Sequence, residues 1–395
     1  MCHPSGSWSQ RALSFTYYSM STVLIGADIC PIEGNRACFQ AGDASSLFHD
    51  LLPELAAADL VIANLECPLI ESPSPIAKTG PTFGESGECI RGIKAAGIHL
   101  LCLANNHIMD HGPAGLKNTL EVCSRAGIAT VGGGMDLQSA ARLHVVTLGR
   151  VRVAVLAMAE HEFSIAKRTS AGANPLDVIQ FVRTVRNQRN EFDYLIVLVH
   201  GSHEFHAPTP RLQKTCRFLV ELGANAVVVQ HPHALGGYEE YQGGHIVYGQ
   251  GALLMDEAIY RSRKSFHDGF LVKLMIGEDA RSTMDLVPFV QSDPVPGARR
   301  LAPEAAMTFR ESLAARSKLL KDELWVADQW LQFCRENRYA YFGSLLRRGR
   351  IFRTLDRGGI LTRLLHRKRG MLGIQNLIRC ETHREALETI FGDEE

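Results

Sequence analysis

The stretch of residues 100–112, LLCLANNHIMDHG, decides the fold class of this chain. Its first four residues are apolar, and a short apolar run of this kind is typical of a buried strand in a parallel sheet. Polar residues then follow at Asn105, Asn106, His107 and Asp110. Because ligands in open α/β sheets bind outside the carboxyl ends of the strands, we expect a site in this loop.

Four more apolar runs end in side chains that can bind metal ions. They are Asp28 after residues 23–25, Glu66 after 60–62, His200 after 195–199, and His231 with His233 after 227–229. A single histidine is more often a hydrogen-bonded structural residue, but six donors at five matching strand ends, counting Asn106, predict a metal centre. Carboxylates and imidazoles together suit zinc, manganese or iron. Two metal ions about 3.5–4 Å apart need a bridging carboxylate and several terminal ligands, and this set can supply both.

The His231-Pro232-His233 segment carries two of these imidazoles. A residue that precedes proline is pushed toward extended backbone conformations. The sequence therefore predicts that the two rings project from an extended dipeptide step.

Composition excludes several classes of protein. The formal net charge is zero, so no overall field draws the chain to nucleic acid, and we expect no nucleic-acid partner. Ten cysteines are scattered without a C-x-x-C pair, which is typical of a reduced protein rather than a disulfide scaffold. We therefore expect a cytoplasmic location.

Three regions are expected along the chain. Residues 1–20 form an N-terminal extension without the apolar segment of a secretory signal. Residues 21–291 alternate strands and helices, which predicts an α/β domain. Residues 292–395 form a helical, basic C-terminal extension. Within it, residues 347–369 carry nine Arg and Lys against one Asp, and either an exposed helix face or a contact with a membrane surface or polyanion fits this pattern.

The pattern also places the individual elements of the α/β domain. Strands are expected at residues 21–27, 59–63, 98–103, 129–131, 144–148, 151–157, 193–199 and 225–229, and helices at 45–57, 89–96, 113–126, 175–190 and 208–222. Strands at 245–249, 268–275 and 282–289 are expected to complete a second sheet.

The sequence resembles the CapA-type proteins of bacterial poly-γ-glutamate capsule synthesis, within the calcineurin-like metallophosphoesterase superfamily. The similarity extends from about residue 23 to residue 256. Its motifs are Gly26-x-Asp28, Ala63-Asn64-Leu65-Glu66-x-Pro68-Leu69, Lys78, Leu103-Ala104-Asn105-Asn106-His107-x-x-Asp110-x-Gly112, Leu198-Val199-His200 with Glu204, His231-Pro232-His233 and Ile246-Val247-Tyr248. The Ala-Asn-Asn-His-x-x-Asp and His-Pro-His blocks are specific when they occur together in this order.

This resemblance implies a metallophosphoesterase-like four-layer α/β/β/α sandwich with a C-terminal helical extension. It implies two divalent metal ions (Mn, Zn or Fe), one held by Asp28 and His233, a second held by Asn106, His200 and His231, and both bridged by Glu66. It further implies that His107 is a general acid toward the leaving oxygen, or stabilises charge on the phosphoryl group, and that a metal-activated water attacks. Asp110 either orients His107 or caps the following helix. The substrate-binding candidates are Lys78, Asn64 and Glu204.

The chain departs from the superfamily pattern beside several of these ligands. Asp-x-His at the first strand reads Asp28-x-Cys30, and a Cys30 thiolate in place of the histidine would favour zinc. The glycine usual before the His-Pro-His block is replaced at Val229-Gln230, and the closing Leu-Gly-Asn-Phe reads Gln250-Gly251-Ala252-Leu253. The ligands are therefore retained, whereas parts of their support are not.

Two functions follow from the resemblance. The first is a metal-dependent phosphoesterase-like hydrolase with a dinuclear site, which acts on an anionic substrate or polymer in capsule, poly-γ-glutamate or exopolysaccharide biosynthesis. The alternative is a non-hydrolytic metal-binding accessory protein of a capsule or polymer synthase. In that role the basic C-terminal region would dock on a membrane-associated synthase, and the location would be membrane-peripheral.

Overall fold

The computed structural model describes residues 20–78, 80–204 and 207–345, and also residues 374 and 378. The basic segment 347–369 and the predicted N-terminal extension up to residue 19 lie outside the described residues. The chain divides into two compact units, residues 1–326 and residues 327–395. The predicted domain boundaries at residues 20/21 and 291/292 remain predictions. Among the described helices, none has the length and apolar character needed to cross a membrane.

The described part of the chain contains eighteen strands and eleven α-helices. The strands are β1 (Ser21–Cys30), β2 (Leu60–Leu65), β3 (Leu69–Ile70), β4 (Glu85–Ser86), β5 (Leu100–Cys102), β6 (Ala129–Val131), β7 (Gly133–Gly134), β8 (His144–Leu148), β9 (Val151–Ala159), β10 (Gly172–Ala173), β11 (Tyr194–His200), β12 (Ala226–Gln230), β13 (Tyr238–Tyr241), β14 (Gly244–Val247), β15 (Ala252–Met255), β16 (Asp268–Ile276), β17 (Ser282–Gln291) and β18 (Ala298–Arg300). The helices are α1 (Arg36–Ala41), α2 (Ala44–Phe48), α3 (Leu52–Ala57), α4 (Ile90–Ala95), α5 (Gly112–Ala126), α6 (Leu137–Ala140), α7 (Val178–Asn187), α8 (Pro210–Glu221), α9 (Lys264–His267), α10 (Pro303–Leu319) and α11 (Glu323–Leu345).

Two large sheets form the body of the first unit. The first has eight strands in the order β18-β17-β16-β1-β2-β5-β6, with β15 also paired to β1. The second has six strands in the order β13-β14-β12-β11-β9-β8. Strands β1, β2, β5 and β6 run parallel to one another, and so do β9, β11, β12 and β14. Their carboxyl ends therefore lie at one edge of each sheet.

The side chains of the second sheet show that this sheet is covered on both faces. Val153 and Val155 of β9 belong to the core that includes the first sheet. Leu156, on the opposite face of the same strand, packs with Phe181 of α7 and Cys216 of α8. In the first sheet, the parallel connections carry α1 to α5, and right-handed crossovers place such helices on one face. The resulting layers are α/β/β/α, which confirms the predicted sandwich.

The structure corrects the predicted membership of two strands. Residues 268–275 and 282–289 were assigned to the second sheet, but β16 and β17 form an antiparallel hairpin in the first sheet. Strand β16 pairs with residues 21–25 of β1, along the edge of β1 that β2 leaves open. A strand pattern shows only which faces are buried, so it did not identify the partner strand.

Two predicted helices are also shorter in the structure. The helix expected at residues 45–57 is broken between α2 and α3, where His49 adopts a φ of 41° and Pro53 stands in the first turn of the next helix. The helix expected from residue 175 begins at Val178, because the Asp177 side chain accepts hydrogen bonds from the first free backbone N–H groups. Helices α10 and α11 lie within the region predicted as a helical extension, but strand β18 also lies there and pairs with β17, so the described part of this region is not wholly helical.

Candidate metal centre

The predicted metal ligands lie at the carboxyl ends of parallel strands from both sheets. Asp28 is near the end of β1 and Glu66 directly follows β2. His200 is the last residue of β11, and His231 and His233 come immediately after β12. All five side chains are buried. The packing of the two sheets therefore brings together ligands that are up to 205 positions apart in sequence, from 28 to 233.

These side chains form two groups that share one carboxylate. One group is Asp28, Glu66 and His233, the other is Glu66, His200 and His231, and within each the ligand atoms lie within 4.8 Å of one another. Glu66 Oε1 is 3.4 Å from His200 Nε2 and 3.9 Å from both His231 Nδ1 and His233 Nε2. Asp28 Oδ2 is 3.4 Å from His233 Nδ1. Glu66 is thus shared by the two groups.

Unpartnered polar atoms at this position test whether the residues fit a metal ion. Glu66 Oε2 and His231 Nδ1 are buried and have no hydrogen-bond partner in the part of the chain that the structure describes. Most buried polar atoms in proteins are hydrogen-bonded, and an exception calls for a specific explanation. Carboxylate oxygen and imidazole nitrogen are both ligands of divalent transition metals. The donor set therefore fits divalent metal ions.

The ionisable groups of the centre influence one another strongly. Burial by itself would raise the pKa of Glu66, but the charges of His233 and His200 outweigh it and hold that pKa well below its usual range. Burial would lower the pKa of His233, yet the Glu66 and Asp28 carboxylates raise it to about 9. Burial does lower the pKa of His200. The carboxylates thus stabilise positive charge at this place.

The backbone of the His-Pro-His segment differs from the extended step that the sequence predicted. His231 has a φ of 96° and His233 a φ of 48°, both in the left-handed region that few non-glycine residues adopt. The backbone N–H of His231 donates to Asp28 Oδ2 at 3.1 Å. Such strain persists where the surrounding structure enforces it and is concentrated at functional sites. The contact with Asp28 outweighed the local preference set by the proline.

Two asparagines, Asn64 and Asn105, support the ligands through hydrogen bonds. Asn64 Nδ2 donates to Asp28 Oδ1 at 2.8 Å and lies 3.3 Å from His200 Nδ1. Asn105 Nδ2 donates to Asn64 Oδ1 at 3.0 Å, and its own Oδ1 accepts from the His107 backbone N–H at 3.1 Å. The sequence suggested that Asn64 binds substrate, but the side chain is fully buried and supports the ligands instead. Asn105 was not among the predicted site residues, although it stands in the same motif.

Asn106 lies beside the second group of ligands. Its Oδ1 atom is 3.0 Å from His200 Nε2, the ring nitrogen that also faces Glu66. The amide oxygen is therefore placed next to the group of Glu66, His200 and His231, where the resemblance expects it.

His107 and Asp110 form a hydrogen-bonded pair at the edge of the centre. His107 Nδ1 is 2.7 Å from Asp110 Oδ2, which also accepts from the Phe83 backbone N–H at 2.7 Å. Helix α5 starts after His111, and its N-cap residue makes no side-chain capping bond. Of the two roles considered for Asp110, the structure shows contact with His107 and no capping of α5.

Lys78 contacts this pair rather than facing outward. Its Nζ donates to Asp110 Oδ1 at 2.5 Å, and the lysine side chain is only 3% exposed. The residue borders the cleft above the metal ligands, but its ammonium group is engaged by Asp110. The sequence, which cannot show burial, suggested a direct contact between Lys78 and an anionic substrate.

A cleft of about 430 Å³ opens over the ligands and His107. Three further carboxylates also line it, Glu162, Glu204 and Glu257. Tyr260 Oη donates to Glu204 Oε2 at 2.8 Å, which places the predicted residue Glu204 in the cleft wall. Burial raises the pKa of Glu257. No motif in the sequence marked Glu162, Glu257 or Tyr260.

The departures from the superfamily pattern have structural explanations. Cys30 belongs to neither ligand group of the described residues; it is buried against Cys67, and burial raises the pKa of its thiol well above the usual range. A thiolate ligand at Cys30 is therefore not what the structure shows. Gln230 Nε2 donates to the Gly26 carbonyl at 2.9 Å, and Gln250 Nε2 donates to the Ile25 carbonyl at 2.9 Å. Both glutamines support strand β1 behind Asp28.

Comparison with known proteins gives consistent matches. Residues 22–257 match the family described as "Bacterial capsule synthesis protein PGA_cap". "Capsule biosynthesis protein CapA" of Bacillus anthracis is 27% identical over 252 residues, which covers 61% of this chain and 60% of that protein. "PGA biosynthesis protein CapA" of Bacillus subtilis is 26% identical over 250 residues, with 62% and 65% covered. A "Probable polyglutamine synthesis accessory protein" of Mycobacterium tuberculosis is 26% identical over 227 residues, with 54% and 60% covered.

The chain thus spans less than two thirds of the length of these relatives. A crystal structure of a hypothetical protein from Thermus thermophilus aligns with a TM-score of 0.44 and 16% identity, over 68% of this chain and 98% of that one. The family match covers more than half of the present chain, and it contains Asp28, His233 and every ligand between them. On this ground the chain belongs to the family of bacterial capsule synthesis proteins known as PGA_cap.

Proposed function

We propose that this protein is a metal-dependent hydrolase of the phosphoesterase type that acts in the synthesis of capsule, poly-γ-glutamate or a related exopolysaccharide. The observation that carries the proposal is the pair of ligand groups that share Glu66. Asp28 and His233 would hold one divalent ion (manganese, zinc or iron). His200, His231 and Asn106 would hold a second, with Glu66 between them.

Metal ions bound there would act as Lewis acids and lower the pKa of a bound water molecule. The chain's own residues would position the substrate and move a proton. His107 Nδ1 is taken by Asp110, so Nε2 is the ring nitrogen that can donate a proton to a leaving oxygen. The Asp110 carboxylate is fully buried, and its contact with Nδ1 orients the ring.

The charges of the cleft limit where an anionic substrate group can lie. Glu66, His231, His233 and His107 line the cleft, and so do the three further carboxylates Glu162, Glu204 and Glu257. Like charges repel strongly in a partly desolvated cleft. We infer that the anionic linkage lies beside the metal ligands and His107, and that the part of the substrate near Glu162, Glu204 and Glu257 is neutral or cationic.

A second candidate is a non-hydrolytic metal-binding accessory protein of a polymer synthase. The observation that favours it is the position of Cys30, whose thiol replaces a superfamily histidine and is buried against Cys67. The group of Asp28, Glu66 and His233 would then hold its ion with one imidazole fewer. The relative from Mycobacterium tuberculosis is itself named an accessory protein. Docking on a membrane-associated synthase through residues 347–369, and a cytoplasmic, membrane-peripheral location, belong to this proposal.

The test combines metal content with turnover. Elemental analysis of the purified wild type and of His233→Ala would be paired with hydrolysis of bis(p-nitrophenyl) phosphate and p-nitrophenyl phosphate in added manganese. His245→Ala is the matched control, because His245 is half-buried and contacts the Ser282 carbonyl, away from the ligands. Two metal ions with hydrolysis are expected in the wild type and the control. His233→Ala is expected to lose mainly the ion next to Asp28, and hydrolysis with it. Two metal ions without hydrolysis of either ester would favour the accessory role, and absence of metal would overturn both.

A further inference from the structure

Lys78 is buried and paired with a carboxylate, whereas a lysine that binds substrate would present its ammonium group to the cleft. Its side chain is 3% exposed, and Nζ is 2.5 Å from Asp110 Oδ1, 3.3 Å from His107 Nδ1 and 3.4 Å from the Asn106 carbonyl oxygen. A buried ammonium ion requires a charge partner of this kind, since desolvation is otherwise prohibitive. Among the described residues, its hydrogen bonds are thus all made to the segment that carries His107.

The two oxygens of Asp110 have separate partners. Oδ1 accepts from Lys78, whereas Oδ2 accepts from the Phe83 backbone N–H and contacts His107 Nδ1 at 2.7 Å. With Oδ1 held by the lysine, the plane of the carboxylate is fixed and Oδ2 is directed at the ring. Asp110 is itself fully buried, so removal of Lys78 would leave a buried carboxylate without its cation and free to rotate.

Two backbone contacts bring Lys78 to this place. The Ile76 N–H donates to the Asp110 carbonyl at 2.9 Å, and the Ser74 N–H donates to His111 Nδ1 at 2.8 Å. The segment before Lys78 is therefore attached to the residues that follow His107. The lysine reaches Asp110 although the two are 32 positions apart in the chain.

We propose that Lys78 is a positioning residue, which acts through Asp110 to hold the His107 ring with Nδ1 on the carboxylate and Nε2 toward the cleft. The importance of this arrangement for turnover rests on the proposed function. The arrangement itself can be measured without any substrate. This role replaces the direct substrate contact that the sequence suggested.

The first measurement is NMR of the full chain labelled with ¹⁵N-histidine, in which ring nitrogen shifts report the proton on each nitrogen. His107→Gln assigns the His107 signals. The Lys78→Met variant is expected to shift the His107 Nδ1 signal, and Lys78→Arg, which keeps a cation, to shift it less. Lys273→Met is the matched control, because Lys273 pairs with Glu54 at 3.2 Å outside the site. Unchanged His107 signals in folded Lys78→Met would overturn the proposal.

A double-variant comparison tests whether Lys78 acts through Asp110. If it does, Lys78→Met combined with Asp110→Asn should shift the His107 signals no further than Asp110→Asn alone, whereas additive shifts would overturn the proposal. The double variant also removes the uncompensated carboxylate, so it keeps the test available if Lys78→Met alone fails to fold. Manganese binding by titration calorimetry is expected to stay within a few-fold of the wild type in each folded variant, and loss of binding would point to a structural role instead.

Turnover, where the wild type shows it, separates the two roles of Lys78. A positioning residue for a general acid is expected to lower kcat by about tenfold or more in Lys78→Met with little change in KM. A substrate-binding lysine would raise KM and leave kcat unchanged, which would overturn the proposal. If the wild type hydrolyses neither ester, the proposed function fails, and the NMR comparison still decides the role of Lys78.

Discussion

The metal ligands and the His107 cluster border the same cleft but are held in different ways. Asp28 and His200 lie within strands, and Glu66 directly follows one, so hydrogen bonds between strands set their positions. His107 and Lys78 lie in loops, where a few side-chain contacts converge on one buried carboxylate. The first part of the site is therefore a property of the sheets, whereas the second depends on contacts between loops.

This difference separates the effects expected from substitutions. A change at a strand end removes a ligand and leaves the neighbouring ligands in register. A change in the loop cluster alters the orientation of His107 and leaves the ligands at the strand ends in place. Metal content and turnover should therefore respond independently in the two parts of the cleft.

The largest effect is expected at Glu66, because both ligand groups contain it. Loss of a hydrogen-bonding partner of a ligand typically lowers metal affinity about 10–100-fold, so loss of the shared ligand should lower it further. We expect Glu66→Ala to lose both metal ions and His233→Ala to lose mainly the ion next to Asp28. Titration with manganese, followed by elemental analysis, measures both stoichiometries. Equal loss in the two variants would show that Glu66 is not shared.

The next effect concerns Asn64, which supports ligands from both sheets. Asn64→Ala leaves Asp28 Oδ1 and His200 Nδ1 without its amide, so metal affinity should fall by about 10–100-fold. Asn118→Ala is the matched control, because this buried asparagine donates to the Leu69 carbonyl outside the centre. Calorimetric titration with manganese measures both. An unchanged affinity in Asn64→Ala would place the support of the ligands elsewhere.

The difference between the strand-end ligands and the loop cluster also explains how much of the site could be predicted from the sequence. The strand-end ligands were found because an apolar run predicts a buried strand, and the residue after it must lie at the edge of the sheet. The assignment of Asp28 and His233, which lies in the other sheet, to the same metal ion then followed from the family resemblance. Their convergence depends on the packing of two sheets, which local patterns do not specify.

The contacts between loops could not be predicted from apolar runs or from motifs. Lys78 was assigned to the substrate because burial cannot be read from a lone lysine in a loop, and its partner Asp110 lies 32 positions away. Glu257 and Tyr260 reach the cleft through the chain that follows β15, for which no motif was recognised. The same limit applies to β16 and β17, whose pattern was recognised but whose partner strand was not.

The third prediction concerns the stability of the sheets and not the metal centre. Gln250 Nε2 donates to the carbonyl oxygens of Ile25 and Phe270, so Gln250→Met leaves both buried acceptors without that bond. An unsatisfied buried group typically costs about 1–3 kcal/mol, and we expect the free energy of unfolding to fall by about 2 kcal/mol. Urea denaturation measures it, with Gln188→Met as the control, because Gln188 contacts Glu191 at the surface. Loss of metal at unchanged stability would instead make Gln250 a part of the centre.

The smallest effect is expected at Cys30, the residue that replaces a superfamily histidine. Its thiol is buried against Cys67 with a raised pKa, and it belongs to neither ligand group of the described residues. Cys30→Ala should therefore leave the affinity for zinc and for manganese unchanged within about twofold, well below the loss that a supporting residue causes. Cys102→Ala is the matched control, because burial raises the pKa of this thiol to about 12. Selective loss of zinc in Cys30→Ala would show that the thiolate binds metal, as a fourth ligand in the group of Asp28, Glu66 and His233.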